Sequence, residues 1–185
     1  MWEYGKAEKM KTTHYKTGER GLRFFFYSHD GLGLGHTRRN LAIASVLSEY
    51  APKASIMLAT GVDEVDHLGV SPRIEILKLP RIQKVANGVY VSQHLRIPSN
   101  KIFALRGSIL KEAVKSFRPT VMLVDKHPLG VSGELRSALK ALRAAEGRAV
   151  LGLRDILDDR ITVLREWASY HLQDRIAEYY DRVLI

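Results

Sequence analysis

The sequence predicts an α/β protein built on a doubly wound, Rossmann-like parallel sheet, and three observations carry that prediction. Apolar strand-like runs alternate with helical segments from about residue 21 to residue 185. The first run, Leu22–Ser28, passes directly into a glycine-rich turn and then a helical pattern. Pro52, Gly61, Pro80 and Pro119 stand at the ends of the periodic segments. Strands separated by helices form right-handed βαβ units and therefore a parallel sheet. The expected strand order is 3-2-1-4-5, with a sixth strand as an option.

Residues 1–20 (MWEYGKAEKMKTTHYKTGER) are polar and without period, and are expected to form a tail outside the fold. Residues 21–185 are expected to form the single ordered domain. Leu22–Ser28 is nearly all apolar and reads as a buried strand. Thr37–Tyr50 reads as a helix with Leu41, Ala44, Val46 and Leu47 on one broad inner face, and Pro52 follows its end. Ser55–Thr60 is the second strand, Val62–Leu68 a short helix, and Ile74–Leu79 the third strand. Residues 81–100 (RIQKVANGVYVSQHLRIPSN) read as a long connection, of the kind that is usually functional or disordered. Lys101–Phe117 is a long helix and Val121–Asp125 the fourth strand. Glu134–Glu146 is a helix with Leu135, Ala138, Leu139 and Leu142 inward. Ala149–Arg154 is the fifth strand, 159–180 is helical, and Arg182–Ile185 is an apolar run suited to a sixth strand.

Bulk properties narrow the function classes. A chain of 185 residues is long enough for one domain with a real core, and 45% hydrophobic with 26% charged residues is ordinary for a soluble domain. Without cysteine there is neither a disulfide scaffold nor a thiolate metal site, which fits a reducing cytoplasm. No apolar run approaches the ~20 residues of a membrane span, and the N-terminus lacks a secretory core, so the expected location is cytoplasmic. The formal net charge of +9 favours anionic partners. With no RNP-like aromatic motif, zinc finger or long basic run, nucleic acid is not an expected partner.

The chemistry-bearing stretch is HDGLGLGHTRRN, residues 29–40. Glycines between a strand and a helix let the backbone approach an anion, and the helix start supplies N–H groups and the positive dipole end. A Walker loop needs a lysine that is missing here. A dinucleotide fingerprint needs G-x-G-x-x-G and a carboxylate at the second strand tip, where this chain has Ala59-Thr60-Gly61. The remaining pattern is G-x-G-H-x-R, read either as an anion-binding helix start or as turn glycines with His36 as a polar neighbour. Strands one and four are neighbours where the order reverses, so the loop with His29, Asp30 and His36 should lie beside the loop with Asp125 and His127. A solvated turn with Asp125 capping backbone amides is the competing reading of that second loop. No close-spaced histidine pair supports zinc, so no metal is expected.

The segments YSHDGLGLGHTRRNLAIASVL, VDKHPLGVSGELRSAL and LGLRDILDD resemble the amino-terminal domain of a predicted bacterial glycosyltransferase family of GT-B architecture. The Gly-His loop is similar to that of the peptidoglycan N-acetylglucosaminyltransferase that makes lipid II. The resemblance covers about Leu22 to Ile185 and implies an acceptor-binding half, inactive alone, of an enzyme that uses a nucleotide-sugar donor and no further cofactor. It implies His36 as the catalytic base or as a donor to an anion. It implies phosphate or acceptor binding by Asp30, Gly33, Gly35, Thr37, Arg38, Arg39, Asp125 and His127. Tyr90 and His94 would border the acceptor groove, whereas Glu134 reads as a helix-start charge. The carboxyl-terminal donor domain is absent from this chain, so it is expected to be a fragment or to work with a separate donor-domain subunit. An anionic acceptor and peripheral contact with a membrane would suit the charge. Two further readings stay open: a nucleotide-sugar hydrolase of similar fold, and a non-catalytic subunit of a split glycosyltransferase.

Overall fold

The computed structural model describes residues 21–28, 34–63, 65–86, 89–153 and 172–185. Its centre is a six-stranded sheet of β1 (Arg23–Tyr27), β2 (Ser55–Thr60), β3 (Ile74–Lys78), β6 (Val121–Asp125), β7 (Arg148–Gly152) and β8 (Arg182–Leu184). Its order is β3-β2-β1-β6-β7-β8, and every pairing is parallel. Counted within this sheet the order is 3-2-1-4-5-6, the expected Rossmann-like arrangement with the sixth strand present.

Alternation along the strands divides the core in two. Phe25, Tyr27, Met122, Val124, Ala149 and Leu151 point to one face and pack under α2 (Ser99–Phe117), α3 (Arg136–Ala144) and α4 (Leu172–Tyr179). Phe26, Ile56, Leu58 and Ile74 point to the other, under α1 (Gly35–Tyr50) and the 3₁₀ turn Val65–Leu68. The inward set expected for the third helix holds, since Leu135, Ala138, Leu139 and Leu142 are all fully buried.

Several expectations are corrected. Residues 81–100 are not one irregular connection. They contain the antiparallel hairpin of β4 (Ile82–Ala86) and β5 (Val89–Ser92), followed by the start of α2 at Ser99. The hairpin is held because Ile82 buries itself against Ile102 and Val131, with Tyr90 and Phe103 alongside. Val46 is half exposed rather than inward, because it lies about 140° around the helix from Leu41. The buried stripe of α1 is Thr37, Asn40, Leu41, Ala44 and Ser48. Among the described residues of the predicted short helix, Val65–Leu68 is helical, as a 3₁₀ turn, and Val62 and Asp63 are not. Glu134 precedes α3 instead of starting it. Of the helix predicted over 159–180, residues 159–171 lie outside the described residues.

Candidate functional site

Three strand ends and one helix build a polar seam at the carboxyl edge of the sheet. Ser28, Thr60 and Asp125 share parity with Phe26, Leu58 and Leu123, so their side chains face α1. Each meets a residue from the first two turns of that helix. Asn40 Nδ2 donates to Ser28 Oγ (2.8 Å) and to the Tyr27 carbonyl (3.3 Å). The Thr37 and Thr60 hydroxyls share a hydrogen bond of 3.1 Å, and Thr60 Oγ1 also accepts from the Val62 amide (3.2 Å). Asp125 takes two partners, His36 and Arg39.

The Asp125 side chain is fully buried, and its Oδ2 lies 2.7 Å from His36 Nδ1. With the carboxylate ionised, Nδ1 carries the ring proton and donates it to this bond. Arg39 Nη2 donates to Asp125 Oδ1 and to the Gly152 carbonyl (3.1 Å), and Nη1 to the Leu153 carbonyl (3.2 Å). The register places Asp125 beside Gly152, so one guanidinium reaches both strands. The guanidinium sits close over Gly152, where a Cβ would come within 2.7 Å of Arg39 Nη2 and push it aside. The His36 and Arg39 side chains remain 15% and 28% exposed, so the pair closes over Asp125 while staying accessible from the edge. Arg39 Nε and Asn40 Oδ1 are buried without a hydrogen-bond partner among the described residues.

His127 lies close by on the turn that follows Asp125. Its amide donates to the Asp125 carbonyl (2.8 Å), and Lys126 adopts a left-handed φ of 64° to let the chain turn. Burial pushes the His127 pKa down to about 4, and the charges of Lys126, His36 and Lys84 push the same way. The ring is therefore neutral at pH 7. Tyr180, just past α4, pins this turn by donating to the Pro128 carbonyl (2.5 Å).

The predicted site residues thus separate. His36, Arg39, Asp125 and His127 come together at the switch point between β1 and β6, where the sheet order reverses. Gly35 starts α1 beside them. Thr37 is turned inward onto Thr60, and Arg38 is exposed. His29, Asp30, Gly31 and Gly33 lie outside the described residues. His94 is mostly exposed and lies 3.5 Å from Asp63, which also binds Lys78 (2.8 Å) and Arg81. Hydrogen bonds from Lys78 and Arg81 hold the Asp63 carboxyl well below its ordinary pKa. Among the described residues no group of three or more His, Asp or Glu could hold a metal ion. No helix among them is long and apolar enough to cross a membrane.

Sequence reasoning missed a second polar centre, on the opposite face of the sheet. Arg106 of α2 grips Glu134 with two bonds, Nε to Oε2 (2.6 Å) and Nη2 to Oε1 (2.8 Å), while Nη1 donates to the Pro80 carbonyl (2.6 Å). Tyr27 Oη donates to Glu134 Oε1 (2.5 Å). Burial raises the Tyr27 pKa well above its ordinary value, and the Glu134 charge raises it further. For Arg106, burial opposes the charge, but the Glu134 carboxylate outweighs it and lifts the pKa above that of a free arginine. The available signal was an arginine at the core spacing of α2, between Ile102 and Leu110.

The sequence matches no family model and no curated protein. Among solved structures, the chain is similar to a UGT transferase from Siraitia grosvenorii in complex with UDP. The identity is 16% and the TM-score 0.46, over 70% of this chain and 27% of that one. The chain thus spans little more than a quarter of the length of that structure.

Proposed function

We propose that this chain is the acceptor-side half of a GT-B glycosyltransferase that takes a sugar from a nucleotide-sugar donor, with His36 as the base for the acceptor hydroxyl. The observation that carries the reading is the His36–Asp125 contact of 2.7 Å at the switch point, with Asp125 fully buried. A carboxylate that accepts from Nδ1–H leaves the ring lone pair on Nε2, the nitrogen that would take the hydroxyl proton. As the acceptor oxygen bonds to the anomeric carbon, its proton passes to Nε2. The bond from that carbon to the donor diphosphate breaks, and the electron pair leaves on the diphosphate. First-turn amides of α1 and the positive end of its dipole would stabilise that charge, as would the exposed Arg38 guanidinium. In the same reading Gly33, Gly35 and the Thr37 amide would border the anion, while Asp30 would accept from an acceptor hydroxyl. Arg39 is a positioning residue in this reading, because it holds the second oxygen of Asp125. A facing Rossmann-like half would hold most of the donor.

The test is nucleoside diphosphate release from UDP-sugars by the gene product acting with its donor-binding half. His36→Ala should lower kcat by about 10²–10⁴-fold with little change in donor KM. Asp125→Asn should lower kcat by a comparable factor through loss of the correct tautomer. Wild-type turnover in His36→Ala would remove the base from the scheme.

A further inference from the structure

The hairpin, α2 and the Val131–Gly133 turn border an open cleft of about 750 Å³ that the proposed transfer chemistry does not use. It lies on the α2 face of the sheet. Neither His36 nor Asp125 lines it, since both belong to the α1 face. Its size is that of an ordinary small-molecule site, for which about 300–1,000 Å³ is usual.

The cleft follows from how α2 is divided. Ile102, Arg106, Leu110 and Val114 form its buried stripe. The adjoining stripe, Asn100, Phe103, Ala104, Gly107, Ser108 and Lys111, forms one wall of the cleft. Helix and turn approach closely at Gly107, where a Cβ would stand 3.1 Å from the Glu134 carbonyl oxygen. The second wall carries Ser132, Gly133 and Ser137. Ser132 sits at φ 52° and ψ 26°, between Gly130 and Gly133 at φ 68° and 77°. Side chains rarely adopt this left-handed conformation, and here the residue that does so lines the cleft. Tyr90, on the inner face of the hairpin, forms the third side of the cleft.

The lining chemistry selects the ligand. Tyr90 and Phe103 offer aromatic surface. Four serine hydroxyls, the Asn100 amide and the Lys111 ammonium offer hydrogen bonds. Among the described lining residues Glu134 is the one carboxylate, and Arg106 and Tyr27 already occupy it. A polyhydroxylated ring, with apolar C–H faces and a polar rim, fits aromatic walls edged by small donors. We propose that this cleft is a saccharide-binding site, separate from the His36–Asp125 centre. It goes beyond the transfer reading and needs no turnover to be tested.

The experiment titrates the folded chain with a panel of methyl glycosides (neutral hexosides, N-acetylhexosaminides and a hexuronide), followed by saturation-transfer NMR. At least one glycoside should bind in the millimolar range. Tyr90→Ala, Lys111→Ala and the cleft-filling Ser108→Trp should each weaken it by about tenfold or more. Glu49→Gln, on the exposed side of α1, should leave it unchanged. Circular dichroism identifies any variant that fails to fold, and the surface change Lys111→Ala keeps the test valid if Ser108→Trp does. Absence of binding by every glycoside, or binding that survives the substitutions in folded protein, overturns the proposal. Neither result alters the turnover test of His36.

Discussion

Two buried carboxylates, one on each face of the sheet, have been put to different uses. Glu134 and Asp125 both have fully buried side chains and both are held by two donor side chains. The Glu134 partners are themselves sealed: the Arg106 side chain is 2% exposed and Tyr27 is fully buried. The Asp125 partners, His36 and Arg39, reach the carboxyl edge and stay partly exposed. The same charge-assisted bonding therefore locks α2 and the 130–135 turn to the sheet on one face. On the other it orients an accessible imidazole. What separates a structural ion pair from a candidate reactive one is the exposure of the partners, not the carboxylate.

The comparison breaks most visibly at Glu134. Glu134→Leu strands the buried Arg106 guanidinium and should cost about 3–5 kcal/mol in urea denaturation. Asp125→Asn should cost less, about 1–2 kcal/mol, because Arg39 and His36 can turn to water. A larger loss for Asp125→Asn than for Glu134→Leu would refute the distinction. Gly152→Ala sharpens it: the new Cβ displaces Arg39 Nη2 from its carbonyl and from Asp125, for a loss of about 1–2 kcal/mol. Arg39→Ala should abolish most of the added cost of Gly152→Ala in a double-mutant cycle.

The effect that emerges only on acidification is the pH dependence from His127. Its pKa is about 4 in the fold and about 6.5 when unfolded. Between those values the unfolded chain binds more protons, so stability rises with pH. The contribution is complete above about pH 6.5 and is lost as pH falls towards about 4. It should be on the order of 1–3 kcal/mol and be seen as a flatter stability–pH curve in His127→Gln. Equal slopes for the two proteins would show that this ring does not need to stay neutral.

Much of the sheet was legible because its signals are local. Phe25 and Tyr27 alternate with Phe24 and Phe26 across two cores, as an apolar run buried on both faces must. The hairpin carries a local signal too, the turn dipeptide Asn87-Gly88 between strand-like residues, inside a segment whose length alone suggests one long connection. Those two residues lie outside the described ones. Within the candidate site, the neighbourhood of His36, Asp125 and His127 was foreseeable from strand order. The inward turn of Thr37 and the capture of Arg39 by Asp125 were not. Both depend on which side of α1 meets the sheet.

By itself the sequence determined the strands of the parallel sheet, their order, the helices α1 to α3 and the edge where His36 and His127 gather. Apolar periodicity and crossover handedness act over a few residues and leave little choice. Only the tertiary structure decided which polar groups meet. His36 and Asp125 are 89 residues apart, and Arg106 and Glu134 are 28 apart. A buried charge must find a partner wherever packing brings one within reach, and no local pattern encodes that distance.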